Sequence, residues 1–124
     1  MKVKQLTMDE AAQLCLQANF AGWRCVEVVA TIWAESRGNA YAINIVDHDP
    51  DAEAYLSLDV GLCQFNTYWH PGIPLSTSLD PPAALQVMYV LTAGGQPGPL
   101  KMWNAYKSGA YKQFLHDARV AVGI

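Results

Sequence analysis

With 124 residues, 52% of them apolar, and seven prolines scattered through it, the chain is expected to form one globular domain over residues 1 to 124 with enough apolar material for a core. A net charge of -3 and a pI near 5.4, with no clustered basic face, argue against nucleic acid as the main partner and against attraction to an anionic surface.

The N-terminal MKVKQLTMDE carries two lysines with no apolar run behind them, so neither a secretory signal nor a membrane-inserting segment is expected. A protein made in the cytoplasm and acting outside it would then need another delivery route. Cys15, Cys25 and Cys63 are an odd set without CxxC spacing, which fits buried thiols better than a disulfide framework or a zinc site, with a Cys15–Cys25 bridge left open.

The first helix is expected over residues 7 to 20, opened by a Thr7/Glu10 capping box and ended near Gly22, with Ala11, Leu14, Cys15 and Ala18 on its apolar face. A very short turn leads into a second helix, residues 24 to 38. Arg24, Glu27, Thr31 and Glu35 recur there at helical spacing as a narrow polar stripe. Val26, Val28, Val29, Ile32 and Trp33 cover most of the remaining circumference, so this helix belongs in the middle of the domain. Gly38 and Asn39 should terminate it, leaving Glu35 just inside its end. There the unpaired helix carbonyls and nearby apolar groups disfavour a carboxylate and raise its pKa, which suits a general acid. The plainer alternative is a solvated glutamate closing the stripe.

From Tyr41 to Leu58 the helical period is lost, and AYAINIV, DHDPDAE and AYLSL are expected as two short strands around an acidic turn. Asp47, Asp49, Asp51 and Glu53 alternate like cation ligands, but the turn lacks the glycine and distant glutamate of a calcium loop and is broken by Pro50; no metal is expected. DVGLCQFN, residues 59 to 66, is too mixed for a plain strand: Gly61 permits close approach, Leu62, Cys63 and Phe65 can face inward, and Gln64 and Asn66 offer amides. Residues 71 to 82 are expected as a proline-rich loop. Asp80 then caps a helix with Pro81 and Pro82 in its first turn that runs to Gly94. Two final helical pieces follow, around LKMWNAYKS and AYKQFLHDARVAV, separated by Gly109. His48, His70 and His116 share no ligand spacing and are expected to be exposed or structural.

Taken together, these stretches resemble the lysozyme-like superfamily, in particular its lytic transglycosylase and goose-type lysozyme branch, with phage-encoded members. ESRGNAYAIN looks like that family's catalytic helix end, with Glu35 in the catalytic position. GLCQF is similar to the block that lines its sugar-binding cleft, and AYKSG to its tyrosine-containing motif, in which Tyr106 would help to orient the glutamate. Lys107 stands where the family usually has asparagine, which puts any contact of that amide in doubt. DVGLCQFN also shares the register of the animal-type lysozyme segment, whose aspartate precedes the glycine by two; lytic transglycosylases typically lack it. Asp59 could equally be a turn residue.

The resemblance implies a mainly helical α+β, lysozyme-like fold, with a central buried helix surrounded by helices and a small β-hairpin beside the cleft. It implies a muramidase that cleaves the β-1,4 bond between N-acetylmuramic acid and N-acetylglucosamine, Glu35 acting as general acid and Asp59 as the second carboxylate. Lysozyme is itself the type case for that division of labour. The glycan strands of peptidoglycan would be the partner, no cofactor is implied, and the setting would be a phage lysin, a virion-associated protein or another cell-wall assembly. Tyr41, Tyr68, Trp69, Trp103 and Tyr106 are candidate sugar platforms, each of which could instead be core, and Asn44, Gln64, Asn66 and Asn104 are candidate hydroxyl-binding amides. Two other readings stay open: a lytic transglycosylase giving 1,6-anhydro products, and a non-catalytic glycan-binding or structural module of a virion or secretion apparatus.

Overall fold

The computed structural model describes residues 4–47 and 56–124. The fold is mixed α+β and mainly helical, with a three-stranded antiparallel sheet in the order β1-β2-β3. The elements are α1 (Met8–Gln17), α2 (Gly22–Ser36), β1 (Ile43–Asp47), β2 (Leu56–Val60), β3 (Phe65–Asn66), α3 (Leu75–Ser78), α4 (Pro81–Leu91), α5 (Pro97–Leu100), α6 (Asn104–Lys107) and α7 (Leu115–Val122), the last preceded by a 3₁₀ turn over Ala110–Phe114.

Helix α2 is the centre of the molecule. Cys25, Val26, Val28, Val29, Ala30, Thr31 and Ile32 are fully buried, and α1, α6, the 3₁₀ turn and α7 all pack against it. Even the polar stripe is largely enclosed. Thr31 Oγ1 donates to the Glu27 carbonyl at 2.7 Å, and the carboxylate of the buried Glu27 lies 3.4 Å from the half-exposed Arg24. The predicted capping box is present in both directions, Glu10 N–H to Thr7 Oγ1 at 3.1 Å and Thr7 N–H to Glu10 Oε1 at 2.9 Å. Cys15, Cys25 and Cys63 are free thiols buried in the same core. No helix among the described residues is long and apolar enough to cross a membrane.

Several boundaries differ from expectation, each for a local reason. Helix α1 stops at Gln17, because Asn19 takes a left-handed conformation (φ 80°) and turns the chain; Gly22 opens α2 rather than closing α1. At the other end of α2 the left-handed cap is Arg37 (φ 54°), whose guanidinium lies 4.5 Å from the Phe114 ring centroid and so offsets part of the strain. The proline-rich stretch contains a helical turn, α3. Asp80 occupies the N-cap of α4 but makes no side-chain cap; Pro82 at the second position has no N–H, and the Ala83 N–H at the third is not engaged by it. Helix α4 ends at Leu91, where the buried Thr92 hydroxyl accepts from Gly95 N–H and donates to the Met88 carbonyl.

The hairpin forms as expected, with Asn44 opposite Asp59 and Ile43 opposite Val60. A third strand was not foreseen: Asp59 and Val60 also pair with Asn66 and Phe65, so DVGLCQFN is itself a tight hairpin. Its turn depends on Gly61 (φ +80°), where an added Cβ would sit 1.8 Å from the Ser78 carbonyl oxygen. Asp49, Asp51, Glu53 and His48, in the acidic turn, lie outside the described residues.

Candidate active site

The C-terminal end of α2, the β2–β3 hairpin and the α5–α6 link converge on one cavity of about 520 Å³. Three hydrogen bonds, two of them buried and the third part-buried, hold these elements together. Ser36 Oγ, next to Glu35, donates to the Leu62 carbonyl at 2.8 Å, and Trp103 Nε1 donates to the Cys63 carbonyl at 2.7 Å. Glu35 Oε1 accepts the Ala105 N–H at 2.9 Å, across a sequence separation of 70 residues. The Trp103 bond explains why the predicted LKMWNAYKS helix is broken in two: the indole is drawn down onto the hairpin, and Trp103 is left extended between α5 and α6.

Glu35 and Asp59 line the cavity together, with Trp69 and Trp103 as its aromatic surfaces. Glu35 is half-buried, and its pKa is raised: burial is the main cause, the Ala105 N–H opposes it by favouring the carboxylate, and the negative charge of Asp59 raises it further. The expected direction is therefore present, with desolvation as its main cause. Asp59 is half-exposed, and its Oδ1 accepts Asn66 Nδ2 at 2.8 Å. The cavity thus presents a partly desolvated acid and a hydrogen-bonded acid within electrostatic reach of each other.

The predicted amides are on the wall but already engaged. Gln64 is buried; its Nε2 donates to the carbonyls of Ala42 (3.1 Å) and Gly61 (2.9 Å), and its Oε1 accepts from Asn44 Nδ2 at 2.7 Å. Asn66 donates to Asp59 and to Ser57 Oγ (2.9 Å), and its Oδ1 receives the Tyr68 and Trp69 N–H groups at 2.9 and 3.2 Å. These side chains shape the wall instead of offering free hydroxyl-binding groups. Asn104 lies on the wall with an exposed side chain.

Four expected site residues do not line the cavity; one of them, Tyr68, is exposed and meets the Trp69 ring edge-on with centroids 4.7 Å apart. Asn44 stands behind Gln64 and orients it. Tyr41 is half-buried elsewhere, with Lys4 Nζ 6.0 Å from its ring. Tyr106 does not reach Glu35: its hydroxyl donates to Glu27 Oε2 at 3.4 Å, and its ring stacks on Tyr111 at 4.6 Å, because the backbone N–H of Ala105 already occupies the place beside Glu35. Trp103 is both buried core, at 5% exposure, and cavity wall, whereas Trp69, 67% exposed, is not core.

His70, Val46 and Met102 also line the cavity and were not singled out. His70 directly follows the Trp69 platform, the one signal that could have found it; Val46 and Met102 carry none. Burial lowers the His70 pKa. Among the described residues no group of three or more His, Cys, Asp or Glu side chains could hold a metal ion. Neither a family model, nor a curated protein, nor a solved structure matches the chain, so the geometry of this cavity is what bears on its chemistry.

Proposed function

We propose that the protein is a lysozyme-like peptidoglycan hydrolase, cleaving the β-1,4 bond between N-acetylmuramic acid and N-acetylglucosamine with Glu35 as general acid. The observation that carries this reading is the pairing, in one cavity, of a half-buried Glu35 with a raised pKa and an Asp59 held by Asn66. Glycoside cleavage needs a neutral acid to protonate the departing oxygen and a nearby anion to meet the positive charge that develops on the sugar ring. Glu35 gives its proton to the glycosidic oxygen as the C–O bond breaks. Asp59 then faces the cationic ring, stabilising it, bonding to it, or directing water to it. Trp69 offers an exposed aromatic face for a sugar ring, and Asn104 an exposed amide for its hydroxyl or acetamido groups.

The setting that fits is a phage lysin, a virion-associated protein or a cell-wall assembly that brings the domain to peptidoglycan. Mass spectrometry of soluble fragments released from purified peptidoglycan tests the reading. Fragments with a reducing end, carrying one added water, are expected. Anhydro ends would make the protein a lytic transglycosylase, and binding without release of fragments would make it a glycan-binding module.

A further inference from the structure

The turn after β3 is held from beneath. Asn66 receives two backbone N–H groups on its side chain, and its carbonyl accepts the His70 N–H at 2.9 Å; the Ile73 N–H then closes onto the His70 carbonyl at 3.1 Å. The imidazole meets the Phe65 ring edge-on, with centroids 5.9 Å apart, and lies on the cavity wall. Backbone and ring packing thus fix its place, while its ring nitrogens have no hydrogen-bond partner among the described residues. Since Gln64 and Asn66 are engaged within the protein, His70 and Asn104 are, beside the Trp69 indole, the neutral polar side chains among the described residues of the wall that can meet a ligand.

The charges on the wall are one-sided. Glu35 comes from α2 and Asp59 from β2; β1 contributes Val46, and the α5–α6 link contributes Met102, Trp103 and Asn104, none of which titrates. Among the described residues no lysine or arginine lines the cavity, so a carboxylate on the ligand would meet a like charge at Asp59, and protonated His70 is the positive charge these residues can offer it.

We infer that His70 is a specificity-determining residue that contacts the free lactyl carboxylate of a muramic acid unit carrying no stem peptide and binds it more tightly when the imidazole is protonated. This rests on the muramidase reading. Burial holds the imidazole neutral to a lower pH than usual, so a carboxylate ligand must bring a proton with it, whereas a neutral sugar need not.

Calorimetric titration of the Glu35→Gln variant tests this, because turnover and the titration of the acid are both removed. The probes are an N-acetylglucosamine tetrasaccharide and an alternating N-acetylglucosamine–N-acetylmuramic acid tetrasaccharide with free lactyl carboxylates, each at about pH 5 and about pH 7.5 in buffers of different ionisation enthalpy. The muramyl probe should bind about fivefold more tightly at the lower pH with uptake of a proton, and the neutral probe equally at both. Adding His70→Gln, which keeps a hydrogen-bonding group but cannot charge, should erase the uptake and the pH dependence. If the pH dependence persists in that double variant, or is missing from the muramyl probe at the start, His70 does not set specificity. If neither sugar binds at any pH, the muramidase reading falls first and the role of His70 with it.

Discussion

At the scale of single residues the decisive one is Glu35, because a small change in its surroundings moves a proton. Glu35→Gln keeps an oxygen acceptor for the Ala105 N–H but has no proton to give; release of soluble fragments should fall by at least about 100-fold. Folding should respond in the opposite sense. The folded-state pKa lies above the ordinary value of 4.5, so ionising Glu35 costs stability that is lost progressively as pH rises from the ordinary value through the raised one. The variant escapes this loss. Its melting temperature should match that of the parent at about pH 4 and equal or exceed it at neutral pH, as scanning calorimetry at both pH values would show. Asp59→Asn removes a charge that helps to hold the proton on Glu35. The alkaline limb of kcat should therefore move to lower pH while kcat itself falls severely, and a mild loss with an unmoved limb would leave Asp59 a turn residue.

At the scale of elements, the β2–β3 hairpin is the piece on which the cavity is built. It bears Asp59, engages Gln64 and Asn66, and supplies the carbonyls of Leu62 and Cys63 to α2 and to the α5–α6 link. Its turn is possible because Gly61 takes φ +80° with the Ser78 carbonyl closely over it. Gly61→Ala should destabilise the protein by about 3 kcal/mol or more, lowering Tm by roughly 10 °C, since the new methyl meets backbone and not a flexible side chain. Legibility also differs between elements. Helix α1, α2 and the β1–β2 hairpin were plain in the chain because capping residues and a period of 3.6 or 2 act over a few neighbours. The two-residue strand β3 and the four-residue helices α3, α5 and α6 are too short to show a period, and contacts with distant segments decide them.

At the scale of the whole molecule, the site exists because α5–α6 is drawn across the end of α2. Trp103 Nε1 on the Cys63 carbonyl is one anchor, and Tyr106, bonded to Glu27 two turns before Glu35 and stacked on Tyr111, is another. Both serve to keep the Ala105 N–H against the acid. Trp103→Phe leaves the buried Cys63 carbonyl without its partner and should cost about 1–3 kcal/mol in denaturant unfolding. Because the link would then loosen over Glu35, kcat should fall more than KM rises.

The amino-acid sequence alone determined the central apolar helix with an acid in its last turn and the hairpin beside it, while the pairing of Glu35 with Asp59 was implied by a resemblance carried on short motifs. Periodicity, capping and turn chemistry are written in adjacent residues. Tertiary structure alone decided that the amides of Gln64 and Asn66 are engaged within the protein, that Tyr106 serves Glu27 while a backbone N–H serves Glu35, and that His70 stands on the cavity wall. Each of these is a competition among partners far apart in the chain, and which hydrogen bond forms depends on how the elements pack, a quantity that no local pattern encodes.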